Sequence, residues 1–177
     1  MNENFNLDDA IRKVEDFPKP GILFYDITSI LANPEAFTWC IDKMVELYSD
    51  KHIDAIAGIE ARGFLFAAPL AERLQIPLIL VRKKGKLPGE TYEKRFELEY
   101  GEDVIQIHKA DVKAGENVLI IDDLIATGGT VKAAAEMFAE AGATVHDIFC
   151  TIGLPFLPYK EILKDYSVTT LIEYDSE

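Results

Sequence analysis

The sequence predicts an α/β protein whose parallel sheet is covered by helices. Three runs of mostly apolar, often β-branched residues are typical of strands buried inside a sheet: Ile53–Ile59, Ile76–Val81 and Val118–Ile121. Segments with apolar residues at helical spacing separate these runs. Because strands that alternate with helices indicate a parallel sheet, we expect ligands to bind beyond the carboxyl ends of the strands.

Size and composition predict a single domain that spans residues 1–177. Of the 177 residues, 49% are apolar, which is enough for a full core. No apolar run approaches the ~20 residues that a membrane span needs, and the acidic N-terminus is unlike a signal peptide, so we expect no membrane partner. The formal net charge of −13 argues against nucleic acid, because an acidic surface repels its phosphates.

The cysteines and histidines do not indicate a metal site. Cys40 and Cys150 are far apart and lack metal-ligand spacing, so we expect them to be reduced core thiols of a cytoplasmic protein. His52, His108 and His146 are equally scattered, and we expect structural or surface positions for them.

The N-terminal residues 6–15 are predicted to form a short amphipathic helix, because apolar residues recur at helical spacing after a possible N-cap at Asn6. Two prolines and a glycine then stop the helix, and residues 22–28 are predicted to form a short strand. Asn33-Pro34 is typical of a helix start. The helix that follows has an apolar stripe at Phe37, Ile41, Met44, Val45 and Tyr48.

The remaining elements complete the alternation of strands and helices. A helix is predicted to follow Gly63 and to run through Leu74, and Pro69 inside it requires either a kink or a later helix start. The rest of the chain is predicted to form a hairpin of residues 95–100 and 104–108, a helix over 131–141 stopped by Gly142, a strand over 145–152, a short helix over 159–165 and a last strand over 168–174.

Residues 118–130 carry the most specific chemical pattern in the chain. Asp122 and Asp123 follow a buried strand, and the loop after them is made of Ala126, Thr127, Gly128, Gly129 and Thr130. Glycines let backbone N–H groups approach an anion, and a helix N-terminus adds about half a positive charge, so the loop suits a phosphate. The two carboxylates could accept hydrogen bonds from a vicinal diol or help to hold Mg²⁺. The pattern favours a phosphorylated sugar over the alternative of an ordinary strand-to-helix turn.

Two further groups of residues follow the other buried strands. Residues 58–63 have the spacing of a nucleotide-binding phosphate loop, but Phe64-Leu65 replaces the Lys-Ser/Thr pair, which argues against a nucleoside triphosphatase. The turn still places Arg62 and backbone amides at a strand end, where they suit a pyrophosphate. Pairing of Arg62 with a surface acid is the alternative.

The basic cluster comprises Arg82, Lys83, Lys84 and Lys86 and leads into the lid loop, residues 85–91. A loop with two glycines and a proline is long enough to move as a lid. The cluster is either a solvated loop or a site for a small polyanion, and the second interpretation suits an otherwise acidic protein better.

Several motifs together resemble one family. The 118–130 segment resembles the 5-phosphoribosyl-1-pyrophosphate (PRPP) motif of type I phosphoribosyltransferases. The whole set is similar to the adenine phosphoribosyltransferases, in that family's order: Phe17-Pro-Lys-Pro-Gly-Ile-Leu-Phe-Tyr-Asp-Ile-Thr28, Ala61-Arg-Gly-Phe-Leu-Phe66, Val81-Arg-Lys-Lys-Gly-Lys-Leu-Pro-Gly89, Leu98-Glu-Tyr-Gly101 and 118–130.

The resemblance implies a fold and a reaction. The fold is a parallel sheet of the type I phosphoribosyltransferase kind with flanking helices, a flexible catalytic loop and hairpin, and a small N-terminal hood over residues 1–33 that contributes to the base site. The reaction converts adenine and PRPP into AMP and pyrophosphate with Mg²⁺, as a step of purine salvage. A homodimer is implied as well, because part of the basic cluster is expected to reach across the interface.

The resemblance also implies residue roles. Asp122 and Asp123 would hold the ribose hydroxyls, near which Mg²⁺ would be held mainly through PRPP, and the 126–130 loop would bind the 5′-phosphate. Phe24 would stack on adenine, backbone groups near Leu23 and Tyr25 would read the edge of the base, and Glu99 would manage the proton on ring nitrogen N7. Pyrophosphate would be bound by Ala61, Arg62, Arg82, Lys83 and Lys86, and the catalytic set would be Glu99, Arg62 and Lys86.

Two positions depart from the pattern of the family. Tyr25 stands where an arginine is frequent, and Ala67 stands where a glycine is usual. The first leaves open a phosphoribosyltransferase for xanthine, guanine or hypoxanthine. A regulator that senses PRPP without catalysis is a second alternative, although it would have little reason to keep the lid loop and Glu99.

Overall fold

The computed structural model describes residues 5–97 and 102–176, and this part of the chain forms nine strands and five α-helices. Two short strands, β1 (Arg12–Val14) and β2 (Phe24–Asp26), pair antiparallel as a separate ribbon. The strands of the main sheet are β3 (Ala55–Ile59), β4 (Leu78–Lys83), β5 (Thr91–Glu97), β6 (Glu102–His108), β7 (Asn117–Ile125), β8 (Thr144–Gly153) and β9 (Val168–Glu173). Their spatial order is β5-β6-β4-β3-β7-β8-β9.

Five neighbouring strands run parallel, in the order β4, β3, β7, β8 and β9. Strands β5 and β6 form an antiparallel hairpin on the edge beside β4. At the carboxyl end of β3, Ile59 is opposite Val81 of β4, and Gly58 is opposite Ile121 of β7. The loops after Ile59, Val81 and Ile121 therefore meet at one edge of the sheet, as the sequence predicts.

The helices are α1 (Thr28–Leu31), α2 (Pro34–Tyr48), α3 (Gly63–Leu74), α4 (Gly129–Glu140) and α5 (Tyr159–Ile162). The start of α2 confirms the predicted cap, because the Asn33 side chain accepts hydrogen bonds from the N–H groups of Glu35 and Ala36. Helix α3 begins at Gly63 and continues through Pro69, which excludes the alternative of a later helix start.

The core lies on both faces of the main sheet. One face packs α4 and the base of the hairpin against the sheet, and the other packs α2, α3 and the N-terminal segment. In β3, Ala55 and Ala57 belong to the first side and Ile56 to the second, which explains why this run has no polar face. Cys40 and Cys150 are buried and form no disulfide, as predicted.

The prediction of a helix over residues 6–15 is wrong. Leu7–Ala10 forms a single 3₁₀ turn, capped at Asn6 as expected, and the chain then becomes β1 because Arg12 pairs with Asp26 of β2. Helical spacing is a local pattern, so it does not reveal a strand pairing between residues that are distant in sequence.

Other boundaries differ in smaller ways. Strand β7 does not end at Ile121 but continues through the acidic pair, because pairing with β8 persists to Ile125. The first strand of the hairpin begins at Thr91, opposite His108, and α5 ends at Ile162. Within the described residues, no helix combines the length and apolarity that crossing a membrane requires.

Candidate active site

The 126–130 loop connects β7 to α4 and lines a small cleft of about 140 Å³ at the N-terminus of that helix. Gly128 is the N-cap and has a φ of +83°, a conformation that side chains rarely adopt. A Cβ at this position would lie 3.2 Å from atoms of Tyr159 and Leu163. The loop therefore packs at Gly128 on Tyr159 of α5 and on Leu163, the residue after this helix, whereas Thr127 is exposed.

Asp122 of the acidic pair lies at one end of this cleft. Asp122 faces the loop, and its Oδ1 accepts a hydrogen bond from the backbone N–H of Asp123. Burial and the neighbouring carboxylate of Asp123 raise the pKa of Asp122 well above its usual value. The protein thus keeps a carboxyl group at a position where its charge is costly, which is common at functional sites.

Arg62 joins the acidic pair from the start of α3. Its Nε donates a hydrogen bond of 2.6 Å to Oδ2 of Asp123, whose side chain is 5% exposed. Burial acts to lower the pKa of Arg62, but the hydrogen bond and the charges of Asp123 and Asp122 raise it overall. The Arg62 side chain is 54% exposed, so it can reach a ligand. Arg62 does pair with an acid, but with one in the motif rather than on the surface.

Gly63 makes this approach possible. A Cβ at Gly63 would lie 2.6 Å from the carbonyl oxygen of Ile121 and 3.0 Å from Oδ1 of Asp122. No larger residue fits without a shift of the backbone. The glycine after Arg62 therefore brings the N-terminus of α3 against the acidic pair.

A larger cleft of about 280 Å³ opens between these elements and the hairpin. Its floor includes Ala61, Arg62 and the acidic pair, and Lys83 contributes an exposed ammonium whose Nζ lies 3.1 Å from Asp103. Residues that complete the lining include Glu60, Phe96, Ile105 and Thr130. Three of the predicted pyrophosphate residues, Ala61, Arg62 and Lys83, thus line one cleft.

Arg82 and Lys86 are placed differently from these three. Arg82 alternates with Lys83 on β4, and its Nε and Nη2 each donate to a carboxylate oxygen of Glu60 at 3.2 Å. Nη1 donates to the carbonyl oxygen of Lys86, which lies in the exposed lid loop. Neither Arg82 nor Lys86 lines the 280 Å³ cleft. Burial acts to raise the pKa of Glu60, but its hydrogen bonds with Arg82 and the Lys83 N–H lower it overall.

The β1–β2 ribbon forms the wall of a third cleft, of about 560 Å³. Phe24 and Phe17 line it and contact each other edge to face, with ring centroids 5.0 Å apart. Arg62 lines this cleft as well as the previous one, so the two are neighbours. Leu23 instead lines a shallow depression beside the ribbon.

Tyr25 contributes to the third cleft although it is only 4% exposed. Because side chains alternate along a strand, its ring faces away from the side that carries Phe24. There it stacks on Tyr174. Tyr25, at the position where the family often has an arginine, is thus a buried residue whose ring packs on Tyr174.

The second departure from the pattern has a steric explanation. Ala67 is fully buried in α3, and a Cβ on Gly58 of β3 would lie 2.9 Å from its methyl group. The absence of a side chain at Gly58 provides the room that Ala67 takes up. The close packing of α3 on β3 is therefore retained.

Glu99 lies outside the described residues, as do Leu98, Tyr100 and Gly101. The strands on either side of this segment are paired from Glu97 and Glu102 onwards. Next to this pair, Phe96 and Asp103 line the 280 Å³ cleft.

The donor set at the cleft suits Mg²⁺ only when a ligand supplies most of the oxygens. Among the described residues, no group of three or more histidine, cysteine, aspartate or glutamate side chains could hold a metal. Asp122 and Asp123 are two carboxylates on one strand, a hard donor pair of the kind that binds Mg²⁺ together with substrate phosphates.

Glu60 and Asp103 belong to the site but were not predicted from the sequence. Glu60 could have been found, because it directly precedes Ala61 at the end of a buried strand, where functional side chains collect. Asp103 offered no such signal. Its approach to Lys83 depends on the antiparallel pairing of the hairpin with β4.

Comparison with known proteins agrees with this geometry. The family model of the phosphoribosyl transferase domain matches residues 26–175. Adenine phosphoribosyltransferase of Treponema denticola is 61% identical over 171 residues, which cover 97% of this chain and 90% of that protein. The enzyme of that name from Thermoanaerobacter pseudethanolicus has a crystal structure that matches with a TM-score of 0.90 at 44% identity, covering 96% of this chain and 100% of that chain.

A second crystal structure is that of Saccharomyces cerevisiae adenine phosphoribosyltransferase in complex with an imino-altritol bisphosphate and adenine. It is 40% identical, has a TM-score of 0.87, and covers 93% of this chain and 96% of that chain. These matches confirm the predicted fold, a mostly parallel sheet of the type I phosphoribosyltransferase kind with flanking helices. The chain belongs to the adenine phosphoribosyltransferases of the phosphoribosyltransferase family.

Proposed function

We propose that the protein transfers the 5-phosphoribosyl group of PRPP to adenine and releases AMP and pyrophosphate, as a purine salvage enzyme. One observation carries the proposal. The three clefts are contiguous. The 140 Å³ cleft at the 126–130 loop (the loop cleft) shares Asp122 and Thr130 with the 280 Å³ cleft, and the 280 Å³ cleft shares Arg62 with the 560 Å³ cleft at Phe17 and Phe24 (the aromatic cleft). A phosphate, a charged leaving group and a flat base can therefore be bound side by side. The relatives that carry the name of this activity support the choice.

In this proposal, PRPP binds along β7 and α4. The N–H groups of the 126–130 loop and the dipole of α4 hold the 5′-phosphate. Asp122 and Asp123 accept hydrogen bonds from the ribose hydroxyls. Arg62 moves from Asp123 to the pyrophosphate, which frees the carboxylate for the sugar.

Pyrophosphate occupies the 280 Å³ cleft between Arg62 and Lys83, beside the backbone of Ala61. Displacement of pyrophosphate from the anomeric carbon builds positive charge on the sugar and negative charge on the leaving group. Cations that are already in place stabilise the leaving group, and each such donor is worth ~3 kcal/mol. Lys86, from the lid loop, adds a further cation when the loop closes and excludes water.

Adenine lies in the 560 Å³ cleft. Phe24 stacks on the base, and Phe17 beside it extends the aromatic wall. Backbone groups near Leu23 and Tyr25 read the edge of the base, because the Tyr25 ring itself is turned to the opposite face of the ribbon. Glu99, which follows the hairpin strand that carries Phe96, manages the proton on N7.

Mg²⁺ fits this site as a cofactor held mainly by PRPP, with Asp122 and Asp123 as the protein groups close to it. When bound, it supplies positive charge that stabilises the departing pyrophosphate.

The assembly proposed is a homodimer that works in the cytoplasm. Arg82 does not line the 280 Å³ cleft of its own chain and pairs with Glu60 instead, which suits a role in the site of a partner subunit. Two buried cysteines without a disulfide suit a reducing compartment.

The test is product analysis with the purified protein, PRPP, Mg²⁺ and adenine. We expect AMP and pyrophosphate in equal amounts, with no product when either substrate is left out. Glu99→Leu should lower kcat more than about tenfold and leave PRPP binding nearly unchanged, because a general acid or base contributes ~10²–10⁴ to the rate. Wild-type turnover in that variant would remove Glu99 from the mechanism. The absence of AMP from the wild-type reaction would overturn the proposed function.

A further inference from the structure

Tyr174 lies directly after β9 and contacts the N-terminal ribbon, more than a hundred residues away in sequence. Its ring stacks on that of Tyr25, with centroids 3.9 Å apart and planes inclined by 14°. Tyr25 is 4% exposed and Tyr174 is half-buried, so the Tyr25 side of the stack is shielded from water. Two aromatic rings packed in this way stabilise each other beyond the area that they bury.

The ribbon has two faces, and Tyr174 contacts only one of them. The register of β1 and β2 places Val14 opposite Phe24 and Lys13 opposite Tyr25. Val14 and Phe24 line the 560 Å³ cleft, so this pair forms the pocket face. Lys13 and Tyr25 point the other way and form the back face.

Tyr174 also fixes the segment that precedes the ribbon. Its hydroxyl donates a hydrogen bond to Asp8 in the 3₁₀ turn, and Asp8 in turn pairs with Lys13 at 2.8 Å. The Lys13 ammonium lies 5.1 Å from the centroid of the Tyr174 ring. One side chain therefore connects the turn, β1 and β2 to the end of the main sheet.

We propose that Tyr174 is a positioning residue for the base. Acting through Tyr25, it sets the position of the β2 backbone and of Phe24, and thereby the slot into which a planar purine enters. The inference rests on the proposed function, because it takes the aromatic cleft to be the base site. It extends that function by making the C-terminal end of the chain part of base binding, separate from the PRPP side.

Steady-state kinetics of Tyr174→Leu test the proposal, with KM measured separately for adenine and for PRPP. We expect KM for adenine to rise about tenfold, equivalent to ~1.4 kcal/mol of lost binding, with KM for PRPP within about twofold of wild type. Tyr174→Phe keeps the stack and loses only the hydrogen bond to Asp8, so its KM for adenine should stay within about threefold.

Tyr166→Leu is the matched control. Tyr166 is a partly buried tyrosine of the same C-terminal segment, but it packs on the opposite core, beside α4. We expect this variant to leave KM for adenine unchanged. If Tyr174→Leu does not fold, Tyr174→Met takes its place, because methionine fills a similar space without an aromatic ring.

A double-mutant cycle with Tyr25→Leu shows whether Tyr174 acts through Tyr25. The effects on KM for adenine should be far from additive, since either single substitution already removes the stack. Additive effects, an unchanged KM for adenine, or an equal rise in both KM values would each overturn the proposal. If the wild-type protein prefers another base, the proposal that adenine is the substrate is wrong. Comparing the KM for that base between wild type and Tyr174→Leu then still tests the role of Tyr174.

Discussion

Asp122 and Asp123 are adjacent carboxylates in different circumstances. Asp123 has Arg62 as a charged partner, whereas burial and the charge of Asp123 both disfavour ionisation of Asp122. We expect Asp122→Asn to raise Tm at neutral pH by about 2–4 °C, which corresponds to ~1 kcal/mol in a domain of this size. The same variant should bind PRPP more weakly, because it replaces one of the proposed hydroxyl acceptors.

Asp123→Asn is the matched comparison for this prediction. It removes the partner of Arg62 and should lower Tm slightly, because the exposed guanidinium can still be solvated by water. It should also weaken PRPP binding. Thermal unfolding and PRPP titration of both variants decide the matter, and a drop in Tm for Asp122→Asn would contradict our interpretation of the pair.

Glu60 provides a prediction about pH. Its pKa is lowered in the folded protein despite burial, through hydrogen bonds with Arg82 and Lys83. Its carboxylate therefore contributes stability above the ordinary glutamate pKa of about 4.3, and this stability is lost as the pH falls through the lower folded pKa. Thermal unfolding between about pH 3 and pH 7 should show Glu60→Gln less stable than wild type at neutral pH, with the gap closing towards the acidic end. Glu90→Gln is the control, because this side chain is 86% exposed, and a gap independent of pH would count against the role of Glu60.

The turn between β7 and α4 packs directly on the C-terminal part of the chain. Gly128 combines a positive φ with contacts to Tyr159 and Leu163, whereas Gly115 has a φ of +84° and nothing near its missing Cβ. Gly115→Ala should therefore cost only the backbone strain, roughly 1–2 kcal/mol. Gly128→Ala should cost more and should also raise KM for PRPP more than about tenfold, because the loop amides move. Equal effects of the two substitutions on KM would show that the support from α5 is unimportant.

The sequence predicts most of the main sheet because its signals are local. The apolar runs of β3, β4 and β7, the cap at Asn33 and the glycines after the acidic pair each act within a few residues. The prediction is wrong at residues 6–15, where a distant partner, Asp26, turns the end of a helix-like pattern into β1.

The site is predictable to a similar degree, for the same reason. Strand ends identified Asp122, Asp123, Arg62 and Lys83, all of which the structure brings to contiguous clefts. The direction in which a side chain points depends on the partner that it contacts in the folded structure. Arg82 contacts Glu60 and Tyr25 contacts Tyr174, and the residues next to them in sequence predict neither contact.

At the scale of the whole molecule, the position of Arg82 makes the proposed dimer testable. If Arg82 acts in the partner's site and Asp123 acts in its own, a hybrid dimer of Arg82→Ala and Asp123→Asn contains one intact site. Each variant alone should be impaired, and mixing and refolding the two together should raise the activity to about a quarter of wild type, the value for random pairing in a two-fold dimer. No restoration, or a wild-type monomer that is fully active at nanomolar concentration, would contradict a shared site.

The central claim is that the three contiguous clefts form one site for PRPP and adenine. The most direct measurement is pyrophosphate release with PRPP and Mg²⁺, comparing adenine, hypoxanthine, guanine and xanthine side by side. We predict turnover confined to adenine, which would show that a tyrosine at position 25 is compatible with adenine recognition. Preferred turnover with another base would overturn the base assignment, and clear PRPP binding without turnover of any base would indicate a sensor of PRPP.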